Sequence, residues 1–297
     1  MRSIKDVNLS SLTTIRIGGI AKYFFEPRNV QELKHALHFA KDNNLEVFFL
    51  GRGANTIFGD FDGFVISTRR IRGLRVSRKG NNFLIEAMAG EPLSEIVNLA
   101  IKENLEDLYK LAGFPATVGG AVAMNAGAFG YEISRHLSEV TLVSWDGEIY
   151  KLSKSEMKFS YRSSPFPEIG MVFSAVFEVP VASRNIREEH RRILNTRKEK
   201  QPINMPTCGS TFKNPSGNYA GRLLERVGMK GYRVGDVAFS DLHANFLVNL
   251  GNGTFSQVLK IIEGAKRRVF EEFGIVLEEE VRIVESGSAY GRKVCGA

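Results

Sequence analysis

The sequence predicts a mixed α and β fold with more than one core, and three observations carry that prediction. At 297 residues the chain exceeds what a single hydrophobic core usually organises. Stretches with apolar residues at helical spacing alternate with short β-rich runs bounded by glycine, proline and an Asp-Gly turn. Between residues 111 and 130 lies a segment rich in glycine and alanine without one charged side chain.

Taken in order, Val30, Leu33, Leu37 and Ala40 follow helical spacing, and "EVFFL", ending at Leu50, reads as a short buried strand running straight into "GRGANTIFG". The runs "GFVIS", "GLRVSR" and "NFLIEAMAG" have strand content. A helix then opens at Pro92 with Leu93, Ile96, Val97, Ala100 and Ile101 inward. The stretch 111–130 is too rich in glycine for a stable helix and too uncharged for a solvent loop. "EVTLVSW" and "EIYKL", joined through Asp146-Gly147, predict a hairpin. "MVFSAVFEVP" is a further strand, and a basic helix over residues 187–200 leads to Pro202 and Pro206, so the main domain boundary falls at residues 196–206. Beyond it come a helix over residues 220–227, a strand in "HANFLVNLG", and a long helix with Phe255, Val258, Leu259, Ile262, Ala265, Val269 and Phe273 on one face. A strand over residues 275–284 closes the domain, and the tail from Ser286 packs back on the first domain.

Composition is that of a folded globular chain, 43% hydrophobic and 25% charged. The N-terminus lacks the apolar core of a signal peptide and no stretch is long and apolar enough for a membrane span, which predicts the cytoplasm. Cys208 and Cys295 belong to no CxxC pair or Cys/His cluster, so free thiols and no metal site are expected. The net charge of +7 suits an anionic partner. Glutamates interleave the basic run at 187–200 and would oppose phosphate, so that run reads as a solvated helix face rather than a nucleic-acid surface.

Two segments have the composition of phosphate-binding loops, "GRGAN" at residues 51–55 and "GFPATVGGAVAMNAGAFG" at 113–130. Each alone reads equally well as a tight structural turn; together they favour a pyrophosphate held between them. "GRGANT" lacks the third glycine of a Rossmann motif and no helix pattern follows it. His243, in "DLHANF", reads as a structural or supporting residue. On pattern alone, Arg162 in "YRSS", Ser210 in "TCGSTFKNP" and Glu280 in "LEEEVR" read as surface residues, and spacing does not show them converging.

Seven segments in order, "TTIRIGG", "GRGAN", "GFPATVGGAVAMNAGAFG", "YRSSPF", "CGSTFKNP", "GRLLERVGMKGYRVGDVAFSDLHANFLVN" and "LEEEVRIV", resemble the signature segments of the UDP-N-acetylenolpyruvoylglucosamine reductases, flavoenzymes of bacterial cell-wall precursor synthesis. The resemblance covers nearly the whole chain and matches the short form of that family. It implies an α+β fold in which an FAD-binding domain of vanillyl-alcohol-oxidase type, made of two α+β subdomains (residues 1–68 and 69–200), precedes a substrate-binding domain (201–284) and a tail (285–297). It implies FAD, held non-covalently, and NADPH as reductant, acting on a UDP-sugar enolpyruvyl ether in a monomeric enzyme.

Residue by residue, the resemblance assigns Gly51, Arg52, Gly53, Ala54, Asn55, Thr56 and Ile57 to FAD, together with Gly113, Pro115, Ala116, Thr117, Val118, Gly119, Gly120, Ala121, Met124, Asn125, Gly127 and Ala128. Arg162 matches the family's enolate-stabilising arginine, Ser210 its proton donor and Glu280 its conserved glutamate, here expected to be protonated. Asn214 matches a substrate-contacting asparagine, and Lys213, Arg222, Lys230, Arg233 and Asn245 are carried as substrate-binding candidates. The chain departs from the family at Ala54, where serine is usual, and at Glu279, where proline is usual. Two other readings predict different things: another oxidase or dehydrogenase on the same scaffold, and a non-catalytic nucleotide-binding protein, which would be colourless.

Overall fold

Strand pairing sorts the chain into three principal sheets, and the computed structural model describes residues 3–294. The N-terminal region supplies β1 (Ile4–Asn8), β2 (Ile20–Phe25), α1 (Val30–Asp42), β3 (Glu46–Leu50), β4 (Thr56–Phe58) and β5 (Phe61–Ser67). Strand β5 is parallel to both β2 and β3. Its Phe64, Val65 and Ile66 are fully buried, the continuous apolar run of a strand covered on both faces. Helix α1 starts where the Asn29 side chain accepts a hydrogen bond from Glu32 N, and it lays Leu33, Ala36, Leu37 and Ala40 on the sheet.

Next come β6 (Leu74–Lys79), β7 (Asn82–Met88), α2 (Leu93–Lys102), α3 (Val118–Ala123), β8 (Gly127–Ala128), β9 (Tyr131–Glu132), β10 (Leu137–Ser144), β11 (Ile149–Ser153), α4 (Phe166–Ile169) and β12 (Gly170–Pro180). The sheet β11-β10-β12-β7-β6 is antiparallel throughout. The hairpin β10–β11 turns at Gly147, whose φ of 87° needs a residue without a Cβ. Helices α2 and α3 cover one face around Ile85, Val97, Val122 and Phe177.

The remainder is α5 (Arg187–Lys200), β13 (Thr207–Ser210), α6 (Ala220–Arg226), β14 (Arg233–Val234), β15 (Val237–Phe239), β16 (Phe246–Asn249), α7 (Phe255–Phe273), β17 (Arg282–Val284) and β18 (Arg292–Lys293). Its sheet runs β13-β16-β15-β14. Helix α7 opens on a Thr254–Gln257 capping box, stops at left-handed Gly274, and buries Val258, Ile261, Ile262, Ala265 and Val269.

Several expectations need correction. The glycine-rich stretch does form a helix, α3, because tertiary packing of Val118, Ala121 and Val122 outweighs glycine's backbone entropy. On α7, Leu259 is half-buried and Ile261 takes the core position instead. The strand anticipated over residues 275–284 shrinks to β17, which leaves its own sheet and pairs in parallel with β4. Ile15, Ile17 and Ile57 of the first segment lie in the core beneath α7. In the tail, β18 pairs with β3; Cys295 lies outside the described residues, and Cys208 is a buried free thiol.

Candidate active site

The first glycine-rich loop follows β3 and is held from behind. Arg69 donates through Nε to Gly51 O at 3.1 Å and through Nη2 to Leu12 O at 2.7 Å and Arg52 O at 3.3 Å. Burial lowers the Arg69 pKa. Because a trans peptide points its C=O and N–H in opposite directions, these bonds turn the Arg52 and Gly53 amides away from Arg69. Among the described residues the amides of Arg52, Gly53, Ala54 and Asn55 donate to no other protein group. Gly53 has φ +65°, and a Cβ there would meet Leu12 O at 2.4 Å.

The second loop is held by its own backbone. Thr117 caps α3, accepting from Gly120 N at 3.4 Å, while Val118 N donates to Glu91 O and Gly119 N to Ala89 O, both at 2.9 Å. A Cβ on Gly119 would stand 2.8 Å from Ala89 Cβ, so glycine is what lets α3 close on that segment. The two loops meet where a Cβ on Gly51 would lie 2.6 Å from Thr117 Oγ1.

Together they wall a cleft of about 1490 Å³ completed by C-terminal residues. Of the residues assigned above to FAD, Ile57, Val118 and Asn125 do not reach its wall. Ile57 and Val118 are core residues, and buried Asn125 donates to Glu132 Oε2 and Ser160 O at 3.0 and 2.9 Å.

Arg162, Ser210 and Glu280 all line the cleft. Arg162, at a left-handed φ of 56°, donates from Nε to Glu280 Oε1 at 2.9 Å and from Nη2 to Gly127 O at 2.6 Å. Glu280 N donates to Thr211 O at 2.8 Å, which fixes the glutamate one residue along from Ser210. Asn55 Nδ2 donates to Glu280 O at 2.9 Å and ties the first loop to the same segment. Burial raises the Glu280 pKa, and Arg162 opposes that shift only in part.

Glu279 is explained by the same ladder. The bonds around the Phe212–Glu279 bridge run from Lys213 N to Glu278 O and from Glu280 N to Thr211 O. The Glu279 amide is not used, so proline and glutamate are both compatible with the position. Here its side chain pairs with Lys266 of α7 at 2.8 Å.

Of the substrate-binding candidates, only Lys213 is part of the cleft wall, where it pairs with Glu278. Lys230 pairs with Glu225 and Arg233 with Asp236, both on the surface, and exposed Arg222 lies on α6 away from the cleft. The Asn214 side chain accepts from Ala220 N at the start of α6, and buried Asn245 bridges Phe212 N and O. His243 does line the cleft, with its Nδ1 accepting from Asn245 N at 3.2 Å and its pKa lowered by burial.

Sequence reasoning missed Arg69, Arg197, the stacked pair Phe49–Trp145 (ring centroids 4.8 Å apart), exposed Tyr219, and Arg16, Arg52 and Arg282 of the cleft wall, which pair with no carboxylate among the described residues. An aromatic wall, surplus positive charge and outward-facing amides beside glycines are the donor set a flavin dinucleotide requires. FAD therefore fits the residues present.

Comparison with known proteins agrees. Residues 21–153 match the model of an FAD binding domain, and residues 201–284 that of the UDP-N-acetylenolpyruvoylglucosamine reductase C-terminal domain. The UDP-N-acetylenolpyruvoylglucosamine reductase of Aquifex aeolicus is 51% identical over 297 residues, covering 100% of both chains. That of Caldicellulosiruptor saccharolyticus is 37% identical, covering 95% of this chain and 91% of its own. The crystal structure of the Thermus caldophilus enzyme superposes with a TM-score of 0.77 at 32% identity, covering 95% of this chain and 99% of the other. With ordered motifs, matching domain models and a full-length relative in agreement, this chain belongs to the UDP-N-acetylenolpyruvoylglucosamine reductase family.

Proposed function

We infer that this chain reduces the enolpyruvyl double bond of UDP-N-acetylenolpyruvoylglucosamine to give UDP-N-acetylmuramate, a step of peptidoglycan precursor synthesis, with FAD as cofactor and NADPH as reductant. The observation that carries the reading is the 2.9 Å Arg162–Glu280 contact on the cleft wall that Ser210 and both glycine-rich loops share. FAD, when bound, supplies the hydride that it has received from NADPH.

The chain's own residues handle the charge and the proton. Reduction at C3 of the enolpyruvyl group leaves negative charge shared between C2 and the carboxylate. Arg162, fixed by Glu280 and Gly127 O, offers a permanent positive charge and a planar set of donors to that carboxylate. Burial raises the Glu280 pKa and so favours its neutral form, and in that form it can donate a hydrogen bond to the enolate, where an ionised carboxylate would repel it. Ser210 Oγ delivers the proton to C2: a hydroxyl is a weak acid, but an enolate carbon is a strong base and the strand β13 holds the geometry.

In this reading residues 1–68 and 69–200 grip the flavin and residues 201–284 take the substrate, in a monomer working in the cytoplasm without nucleic acid. Among the described residues no helix is long and apolar enough to cross a membrane. The test is an anaerobic absorption titration. Flavin bands bleached by NADPH and restored by the enolpyruvyl UDP-sugar support the reading, whereas bleaching without restoration assigns the cleft another acceptor, and colourless protein that takes up no FAD removes the reading.

A further inference from the structure

One cation of the cleft wall is placed as no surface residue would be. Arg197, in the last turn of α5, is only 8% exposed, yet it lines the cleft. Its guanidinium carbon lies 4.4 Å from the ring centroid of Phe114 and 5.4 Å from that of Phe129, both in the second glycine-rich loop. Aromatic rings occupy the flat faces of a guanidinium and leave its in-plane N–H donors to be satisfied at the edge. One edge donor is used, Nη1 giving a hydrogen bond to Gln201 Oε1 at 3.1 Å, while Nε is buried with no partner among the described residues.

No carboxylate among the described residues pairs with Arg197, and burial alone pulls its pKa down to about 10, which leaves it charged at neutral pH. Of the other cations of the wall, Arg162 is hydrogen-bonded to Glu280, Lys213 pairs with Glu278 and Arg292 with Glu168, while Arg16, Arg52 and Arg282, like Arg197, have no carboxylate partner among the described residues. A buried charge without a counter-ion is unfavourable in the unliganded protein, so an arrangement that keeps one must gain by it when an anion arrives. The carbonyl end of α5 favours a cation there but offers Nε no acceptor. Gly113 (φ +84°) lets the loop close against the arginine, since a Cβ would stand 3.1 Å from Arg197 Cδ.

We propose that Arg197 binds a diphosphate group in the cleft, clamped between its edge donors and the second glycine-rich loop. The proposal rests on the reading above, in which the cleft takes two diphosphate ligands, FAD and the UDP-sugar. Neither ligand's own sugar or base is required by the geometry; the shared pyrophosphate is.

The test compares wild type with Arg197→Gln and Arg197→Lys. FAD is titrated into the flavin-stripped full chain by fluorescence quenching, and the UDP-sugar into the holoenzyme by perturbation of the flavin absorption. Inorganic pyrophosphate serves as competitor in both. The proposal predicts that Arg197→Gln weakens at least one ligand tenfold or more, that Arg197→Lys falls between, and that pyrophosphate competes with that ligand in wild type and not in Arg197→Gln. Loss confined to FAD identifies the cofactor's pyrophosphate as the partner, and loss confined to the UDP-sugar identifies the substrate's. If Arg197→Gln does not fold, the lysine variant carries the test, because it keeps the charge and loses the planar fork, and threefold or more weakening is predicted. Affinities within twofold of wild type for every folded variant, whether or not the melting temperature falls, overturn the proposal. Wild type that binds neither ligand brings down the underlying reading instead.

Discussion

The two glycine-rich loops look alike in sequence and are built on different principles. The first is aimed from outside, by the Arg69 guanidinium gathering the carbonyls of Gly51, Arg52 and Leu12. The second is aimed from within, by α3 and by the amides of Val118 and Gly119 spent on Glu91 and Ala89 carbonyls. Glycine does different work in each: at Gly53 it allows a left-handed φ, and at Gly119 it allows close approach. The lesson is that one ligand-facing wall is made by a distant side chain and the other by local helix geometry, so the two should fail differently.

Arg69→Met should break the first loop and give the largest stability loss, about 3 kcal/mol or more, because three carbonyl acceptors lose a charged donor. Flavin content of the purified protein should fall with it; full flavin occupancy and unchanged denaturant midpoint would show that the loop holds itself. Gly119→Ala should destabilise by about 1–3 kcal/mol through overpacking on Ala89, measured by denaturant unfolding, with the first loop's contribution intact. Thr117→Val, which removes the cap of α3, should take away about 1 kcal/mol. An effect as large as that of Arg69→Met would mean the two loops are one unit.

The smallest expected effect is a slope. Glu280 holds its proton more tightly folded than unfolded, because its folded pKa is raised by burial. Wild type should therefore lose stability relative to Glu280→Gln as pH rises from the ordinary carboxylate range to the raised value, with no further change above it. Melting temperatures of both proteins across that range check the sign; a difference that moves the other way would mean Arg162 outweighs burial.

Much of this was legible in the sequence. The periodicities of α1 and α7 survive folding because their apolar faces set the packing, and the Asp146-Gly147 turn appears where a hairpin needs it. Both loops had a composition of their own, whereas Arg162, Ser210 and Glu280 read as surface on pattern and were singled out by the resemblance alone; all of them share one wall. Burial of cations was not legible. Arg69 and Arg197 sit among other basic residues and look like solvated surface, whereas Arg222, Lys230 and Arg233 look like a diphosphate site and stay outside the cleft. A local cue existed for two of these: Lys230 has Glu225 five residues away and Arg233 has Asp236 three away, distances at which surface pairs form. The parallel pairing of β17 with β4 had no cue, since it depends on a contact between residues more than two hundred positions apart.

In the function we infer, residues from three separate parts of the chain complete one reaction, with Ser210 supplying a proton needed only when the double bond is reduced. Rapid-mixing absorbance of Ser210→Ala, reduced anaerobically with NADPH and then mixed with the enolpyruvyl UDP-sugar, tests it most directly. Reduction by NADPH is expected at the wild-type rate and reoxidation by the UDP-sugar slowed by about a hundredfold or more. Reoxidation at the wild-type rate, or both phases slowed alike, would contradict it.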